Sequence, residues 1–227
     1  MRKKIPLLFW CIFPGLVSAQ TTYYCLAYFK VPAARETQFL AEMRTTGARG
    51  ECLYKVLSPS GGNTEYNYVR ITTVRGFKNA FARSAGATQP VKEEVYAGLA
   101  FADSSSADPL RSKYAVVDFM QPKPDKFGEY IKMETDTFRI IHRERIRLGD
   151  ISQWACLQLA LPFDTKIGYS IVDFNFYNNL EDMLSSKYTE ALKNTFPAAD
   201  LGRLFRSAGA MRDNPKADLL QQVLFTP

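Results

Sequence analysis

Three stretches of the chain recur later in the same order, and this repeat constrains the fold more than any other feature of the sequence. The matched stretches are residues 24–43 with 114–133, residues 59–77 with 162–180, and residues 82–87 with 205–210. Chance similarity is the alternative, but the shared order of all three matches favours duplication. A duplication predicts two halves that fold as the same unit and bury a face against one another.

The second copy is longer than the first. The first match runs at a constant offset of 90 and the second at 103, so the second copy carries thirteen extra residues between Met133 and Trp154. At 1.5 Å per residue, this insertion lengthens a helix by roughly 20 Å. The two halves are therefore predicted to be unequal, with a much longer first helix in the second copy.

Each copy shows a strand, a helix, two strands and a second helix, with a further strand that the pattern does not place. Predicted strands cover residues 22–30, 52–57, 66–74, 114–120, 154–161 and 169–176, and predicted helices cover 33–45, 76–83, 124–148 and 179–195. The stretches after Pro90 and Pro215 have a helix-like apolar pattern. This order is the ferredoxin-like pattern, in which helices cover one face of an antiparallel sheet. The predicted fold class is α+β, with two tandem ferredoxin-like units packed sheet to sheet.

The N-terminus has the pattern of a secretory signal peptide over residues 1–19. Arg2, Lys3 and Lys4 precede an apolar run over residues 5–17, and small residues before Gln20 favour cleavage there. An uncleaved membrane anchor is the alternative, although a span needs about 20 apolar residues. The mature chain is predicted to be secreted or periplasmic, with a first repeat over residues 20–106 and a second over residues 107–227.

Charge and cysteine content exclude several classes of function. The formal charge of +6 falls to +3 without the three signal cations, which gives no case for nucleic acid or for stable membrane association. Cys25, Cys52 and Cys156 remain. Cys25 could pair with Cys52, or all three could be buried thiols. The chain has one histidine and no metal-ligand spacing, so neither a metal site nor a cofactor is predicted.

The second copy resembles the dimeric α+β barrel superfamily, which includes NIPSNAP-like, antibiotic-monooxygenase-like and stress-responsive barrel proteins. The resemblance rests on residues 114–120, Lys123-Pro124, residues 141–145, residues 149–151 and Trp154. It is closest to exported bacterial proteins with two such units in one chain. It implies an intrachain barrel and a pocket between sheet and helices for a small, largely apolar molecule. Some relatives are oxygenases or isomerases without a cofactor, and one distant branch binds haem.

The long helix of the second copy carries the candidate site. Tyr130, Glu134, Phe138, His142 and Arg145 recur at spacings of four and three, which places them near one face. Glu134 and His142 are roughly 12 Å apart along the axis and could act as an acid/base pair on a ligand, with the imidazole titrating near neutral pH. The alternative places Glu134 at the helix edge beside cations and packs His142 on Phe138.

Trp154 begins the strand after that helix and either walls the pocket or packs in the core. The first copy has Glu51 at this position and lacks the histidine. We therefore expect the candidate pocket residues in only one of the two potential pockets, that of the second copy. Tyr130, Phe138, Trp154 and Arg145 are the predicted ligand-binding residues, and Glu134 and His142 are the predicted catalytic ones.

Three functions remain open from the sequence. The favoured one is an exported barrel that binds a small hydrophobic ligand, because the candidate polar residues are few. The others are an oxygenase- or isomerase-like enzyme that needs no cofactor, and a structural or oligomerisation module. Nucleophile-elbow, zinc-protease, phosphate-loop and dinucleotide-binding motifs are absent from the sequence.

Overall fold

The computed structural model of the chain describes most of the residues after the predicted signal peptide. The described ranges are 22–47, 50–59, 65–76, 88–102, 112–162 and 167–226. The predicted signal peptide, the predicted helix over residues 77–83 and the connector around residues 104–109 lie outside them. Within the described ranges no helix is long and apolar enough to cross a membrane.

Eight strands form the framework of the structure. They are β1 (Thr22–Phe29), β2 (Glu51–Pro59), β3 (Tyr68–Arg75), β4 (Lys92–Phe101), β5 (Tyr114–Pro122), β6 (Gln153–Leu161), β7 (Ile171–Tyr177) and β8 (Arg212–Thr226). The six strands predicted from sequence correspond to β1, β2, β3, β5, β6 and β7, with ends that differ by one or two residues. Aromatic and β-branched residues in these segments favour extended backbone, which explains the agreement.

The strands close into one antiparallel barrel in the order β1-β3-β2-β8-β5-β7-β6-β4. Within this ring, the order β4-β1-β3-β2 of the first half is repeated as β8-β5-β7-β6 in the second. The halves join where β2 pairs with β8 and where β4 pairs with β6. The fold is therefore a mixed α+β fold around a closed barrel of eight antiparallel strands.

The stretches after Pro90 and Pro215 are strands, and the helix-like interpretation of them is wrong. They form β4 and β8, which supply the last strand of each half and both seams between the halves. A short apolar run does not distinguish a strand from a helix by its periodicity alone. These two segments are strands because they pair with strands more than fifty residues away in the chain.

The helices cover the outside of the barrel. In the first half α1 (Glu36–Thr46) follows a short 3-10 turn, Ala33–Arg35, as predicted for residues 33–45. In the second half the predicted long helix comprises a 3-10 turn (Pro124–Lys126), α2 (Phe127–Met133), a π-helical segment (Glu134–Phe138) and α3 (Arg139–Arg147).

The predicted helix over residues 179–195 is two helices, and a third follows it. They are α4 (Leu180–Leu184), α5 (Tyr188–Thr195) and α6 (Leu201–Met211). Asn179 caps α4 by accepting a hydrogen bond from the Asp182 amide, and Asp200 caps α6 in the same way. The break between α4 and α5 falls at Ser185–Lys187, where Ser185 and Lys187 have non-helical backbone angles.

The strand register places β1 and β5, the first strands of the two halves, at an offset that differs by one residue from the predicted 90. Ala27 pairs with Arg70 and Asp118 pairs with Asp173, while Arg70 and Asp173 are equivalent at the offset of 103. The offset in this part is therefore 91. Side chains alternate between faces of a strand, so a shift of one residue reverses which face each one occupies.

The interior of the barrel is filled by side chains, with two buried carboxylates among aromatic rings. Glu94 accepts hydrogen bonds of 2.7 Å from both Tyr28 and Tyr96 and one of 2.8 Å from Tyr169, and it pairs with Lys92 at 2.7 Å. In the other half, Asp218 accepts a bond of 2.5 Å from Tyr66 and pairs with Lys216 at 3.1 Å. These contacts engage Glu94 and one oxygen of Asp218, while Asp218 Oδ1 has no hydrogen-bond partner among the described residues.

Cys25, Cys52 and Cys156 form no disulfide bond in the described part of the chain. Strand β3 lies between the strands that carry Cys25 and Cys52, with Cys25 opposite Thr72 and Cys52 opposite Ile71. The Cys25–Cys52 disulfide is therefore not formed, and of the three predicted buried thiols Cys52 and Cys156 are buried whereas Cys25 is half-buried.

Candidate functional site

A pocket of about 210 Å³ lies between the outer face of the second half-sheet and the helices that cover it. The sheet contributes Asp118 from β5 and Asp173 from β7, and the π-helical segment contributes Glu134 and Phe138. Further lining residues are Val116, His142, Arg145, Asn175, Tyr177, Tyr188, Phe205 and Arg212. The pocket thus combines aromatic rings with an unusual concentration of ionisable groups.

The carboxylates of this pocket come from separate elements. Asp118 and Asp173 are opposite each other on β5 and β7, and Glu134 faces them from the helix. Glu134 is 1% exposed and Asp173 is 8% exposed. Glu134 Oε2 and Asp173 Oδ1 have no hydrogen-bond partner within the described structure. Unpaired buried oxygens of this kind are destabilising unless a proton or a ligand satisfies them.

Burial raises the pKa of each of these carboxyl groups. It raises the pKa of Glu134 to about 7, an effect that hydrogen bonding to Tyr130 and the positive charge of Arg212 oppose. Burial, with the neighbouring Glu134 as the next cause, holds the pKa of Asp173 well above its usual range. The pKa of Asp118 is also raised by burial, against a hydrogen bond from Asn214. Two adjacent carboxyls that both resist ionisation favour a state in which at least one is protonated.

The π-helical segment gives Glu134 its position. A π turn closes its hydrogen bonds over five residues instead of four, and such turns occur frequently at functional sites. Glu134 and Phe138, at the two ends of the segment, are both buried beneath the helix. Tyr130, one turn earlier, lies behind the pocket surface with its hydroxyl 2.8 Å from Met120 Sδ and within hydrogen-bonding reach of Glu134, so these two acceptors compete for its one proton.

Arg145 is buried and fully engaged at the far end of the pocket. Its Nε donates to Asp150 Oδ2 at 2.5 Å, and its guanidinium also donates to Asn175 Oδ1 at 3.0 Å and to Tyr177 at 3.3 Å. The same group lies over the Tyr188 ring at 4.9 Å. Arg145 therefore lines the pocket as predicted, but its donors hold neighbouring protein groups in place.

His142 is a neutral, fixed residue, and the expectation that it titrates near neutral pH is wrong. Its Nδ1 lies 3.1 Å from Arg145 Nη1, which has only protons to donate, so Nδ1 accepts and Nε2 carries the proton. Burial, with the charge of Arg145 second, holds its pKa well below the usual value. Its ring stacks on Trp154 at 4.7 Å and 11°. His142 lines the pocket beside Glu134, and its lowered pKa and engaged Nδ1 do not favour the acid/base role predicted for it.

Trp154 supports the pocket from behind. It is 2% exposed and belongs to the core cluster beneath the helices, with His142 between it and the cavity. Of the two interpretations of Trp154, the geometry matches core packing that orients a pocket residue. Of the predicted ligand-binding residues, Phe138 and Arg145 line the cavity, and Tyr130 and Trp154 form the layer beneath.

The first half has apolar residues and one cation where the second half has this ionisable cluster. The offsets of 91 and 103 make Phe39 equivalent to Tyr130, Met43 to Glu134, Leu53 to Cys156 and Arg70 to Asp173. Phe39, Met43 and Leu53 pack into a single hydrophobic cluster. The first half therefore packs the equivalent positions without carboxylates.

Sequence reasoning did not identify Asp118, Cys156, Asp173 and Asn175 as pocket residues, and it named Arg212 only as a cation within possible reach of a pocket carboxylate. One signal could have revealed two of them, because Asp173 and Asn175 alternate with large apolar residues in β7, where all seven residues are buried. Polar residues at alternate positions of a buried strand indicate a polar surface under the helices. Cys156 and Arg212 carry no comparable local signal.

The fold and the pocket define an α+β barrel protein with one ionisable pocket under its second set of helices. A solved anthrone oxidase-like protein shares this fold, with a TM-score of 0.56, 10% identity, and coverage of 91% of this chain and 93% of the other. A chlorite dismutase variant from Candidatus Nitrospira defluvii gives a TM-score of 0.47, 9% identity and coverage of 92% and 93%. A heme-binding protein from Thermus thermophilus gives a TM-score of 0.47 and 8% identity, with coverage of 90% of this chain and 92% of the other.

No known family profile matches the chain, and no curated protein matches its sequence. The anthrone oxidase-like protein shares the barrel fold that was expected from the resemblance of the sequence to the dimeric α+β barrel superfamily. At these identities the likeness describes the fold alone.

Haem, which one branch of that superfamily binds, does not fit the residues of this pocket. His142 is the only histidine of the chain, and its ring is stacked on Trp154 with Nδ1 engaged by Arg145. The cavity of about 210 Å³ is also smaller than the roughly 300–1,000 Å³ typical of clefts for drug-sized ligands.

Proposed function

We propose that this chain is an exported α+β barrel protein that binds a small molecule in the pocket of its second half. The observation that carries the proposal is the pair of unpartnered, buried oxygens, Glu134 Oε2 and Asp173 Oδ1, at a cavity between sheet and helices. The fold does not need them, since apolar residues and an arginine occupy the equivalent positions of the first half. A bound molecule with hydrogen-bond donors would satisfy both oxygens.

The pocket dimensions indicate the kind of ligand. A cavity of about 210 Å³ accommodates a molecule well below the size of a typical drug. Phe138, Tyr188 and Phe205 offer it an aromatic wall, and the carboxyl groups offer it acceptors. We therefore propose a compact ligand with one apolar side and one or more donors, which narrows the small hydrophobic ligand predicted from sequence.

The export and the duplication form part of the same proposal. The signal-peptide pattern of residues 1–19 supports a secreted or periplasmic location. The repeated strand order of the two halves supports a duplicated ferredoxin-like unit as the origin of the barrel. We propose the NIPSNAP-like, exported two-repeat proteins as the relatives in which to look first for the same pocket.

An enzyme that transfers a proton within the pocket, oxygenase- or isomerase-like, is the second candidate. The observation that favours it is that Glu134 presents an unpartnered oxygen at the cavity. His142 is not available as its partner, so Asp173 would take that role. The structural or oligomerisation role draws support only from the filled barrel interior.

Native mass spectrometry of protein purified from its source tests the binding proposal. We expect the wild type to carry one small molecule per chain, Glu134→Gln to lose it, and Glu129→Gln to retain it. Glu129 lies on the exposed face of the same helix and pairs with Lys126, so it is a matched control. A wild-type protein without a bound molecule, or one retained by Glu134→Gln, would contradict the proposal.

A further inference from the structure

Three potential metal ligands meet at the base of the pocket. The ligand atoms of Glu134, Cys156 and Asp173 all lie within 4.8 Å of one another. They come from the π-helical segment, β6 and β7 respectively. The Cys156 thiol also hydrogen-bonds the Asp173 carboxyl group. All three residues are at least nine-tenths buried, so their donor atoms are held by packing.

The surroundings leave two of these donors without partners. Glu134 Oε2 and Asp173 Oδ1 make no hydrogen bond to the described residues. Asp118, opposite Asp173, adds a third carboxyl group on the same side. Arg212 is the nearby cation, and its guanidinium lies over the Tyr130 ring at 5.6 Å. Three carboxyl groups and a thiol outnumber this cation, and a divalent ion that displaced their protons would stabilise the ionised ligands.

We propose that Glu134, Cys156 and Asp173 bind one divalent transition-metal ion, with Zn²⁺ the best match. A thiolate donor favours Zn²⁺ and similar metals over Mg²⁺ and Ca²⁺, which prefer oxygen alone. Three protein ligands with a fourth position open to water or substrate are the arrangement of catalytic zinc sites. Glu134 and Asp173 line the cavity, so the fourth position opens into the pocket.

The distances require only a small contraction. Zinc bonds of 2.0–2.3 Å place tetrahedral ligands about 3.5 Å apart. The present upper limit of 4.8 Å therefore closes by about 1 Å, within reach of the Glu134 side chain. Tyr130, which hydrogen-bonds Glu134, is placed to orient that ligand from the layer behind it. Binding displaces the Cys156 thiol proton to solvent, since the thiolate is the ligand.

The first half provides an internal comparison. Met43, Leu53 and Arg70 occupy the three equivalent positions, and they form no metal-ligand set. The same barrel architecture thus tolerates apolar residues and a cation there, so the donors of the second half are not required for folding. This inference goes beyond the proposed binding of a small molecule, because the ion needs only these three side chains.

Cobalt titration of the full mature chain tests the proposal. The chain is first stripped with a chelator, and Co²⁺ is used because its absorption reports both coordination number and a thiolate ligand. We expect one Co²⁺ per chain, a thiolate charge-transfer band, and displacement by Zn²⁺. Cys156→Ser should abolish that band and weaken binding by more than about tenfold. Cys25→Ser, which alters a thiol in the first half, should leave both unchanged.

Several outcomes would overturn the metal site. They are a folded wild type that takes up no Co²⁺, uptake without a thiolate band, and equal loss of binding in Cys25→Ser. Glu134→Gln provides a second variant should Cys156→Ser fail to fold, and it should also weaken Co²⁺ binding by more than about tenfold. If the chain fails to bind Co²⁺, the proposed small-molecule binding still stands or falls by native mass spectrometry, because that measurement does not depend on metal content.

Discussion

Replacing Glu134 with glutamine should change how the stability of the metal-free protein depends on pH. The folded-state pKa of Glu134 is raised from 4.5 to about 7, mainly by burial. The folded protein therefore holds a proton that the unfolded chain releases between these values. Its contribution to stability is fully present below about pH 4.5 and is lost as the pH rises through about 7.

The size of the effect follows from the shift. Each pKa unit corresponds to 1.36 kcal/mol, so a shift from 4.5 to about 7 amounts to about 3 kcal/mol. The titratable and charged groups that surround Glu134 are Asp118, Asp173, Tyr130, Cys156 and Arg212. The pKa of Asp173 is raised in the same direction, so part of the pH dependence survives the substitution.

Urea unfolding at about pH 5 and about pH 8 measures this difference, with both buffers containing a chelator. We expect wild type to lose about 3 kcal/mol more than Glu134→Gln between the two values. Glu129→Gln, on the exposed side of the same helix, should behave like wild type. Equal pH dependence in wild type and Glu134→Gln would refute the burial of an unsatisfied carboxyl group at this position.

Three other substitutions test the packing around the pocket and inside the barrel. His142→Ala should lower the free energy of unfolding by about 2–4 kcal/mol, and the His142 ring signals in NMR spectra should not titrate between about pH 5 and 8. Arg145→Met should destabilise by about 3–5 kcal/mol in urea unfolding, because Asp150 keeps a buried, unpaired charge. Glu94→Leu should lower the melting temperature, since it leaves Lys92 and the tyrosine hydroxyls unpaired inside the barrel. Unchanged unfolding in any of these variants would contradict the contacts described.

Several features were predictable because they depend on local sequence. Strands β1, β2, β3, β5, β6 and β7 follow aromatic and β-branched runs, and the long helix follows the recurrence of Tyr130, Glu134, Phe138 and His142. The face of that helix was therefore identified correctly. The π turn was not, because it changes the hydrogen-bond pattern without leaving a sequence signature.

The chemistry of the site depends on contacts that no local pattern reveals. Glu134, Cys156 and Asp173 are far apart in the chain and belong to a helical segment and two strands, so their spacing matches no metal or catalytic motif. His142 was predicted to titrate because its free pKa is near neutral, yet burial beside Arg145 lowers it. The clustering of the three side chains and the lowered pKa of His142 both depend on the packing of distant segments.

The sequence by itself predicted a repeated pattern, most of the main strands and helices, and the buried face of the long helix. These depend on backbone propensity and side-chain periodicity over a few residues. Only the tertiary structure decided that β4 and β8 are strands that close the barrel and that an acidic cluster with a thiol forms in the second half. Both depend on pairing and burial between distant segments, whose free energy appears only when the chain is folded.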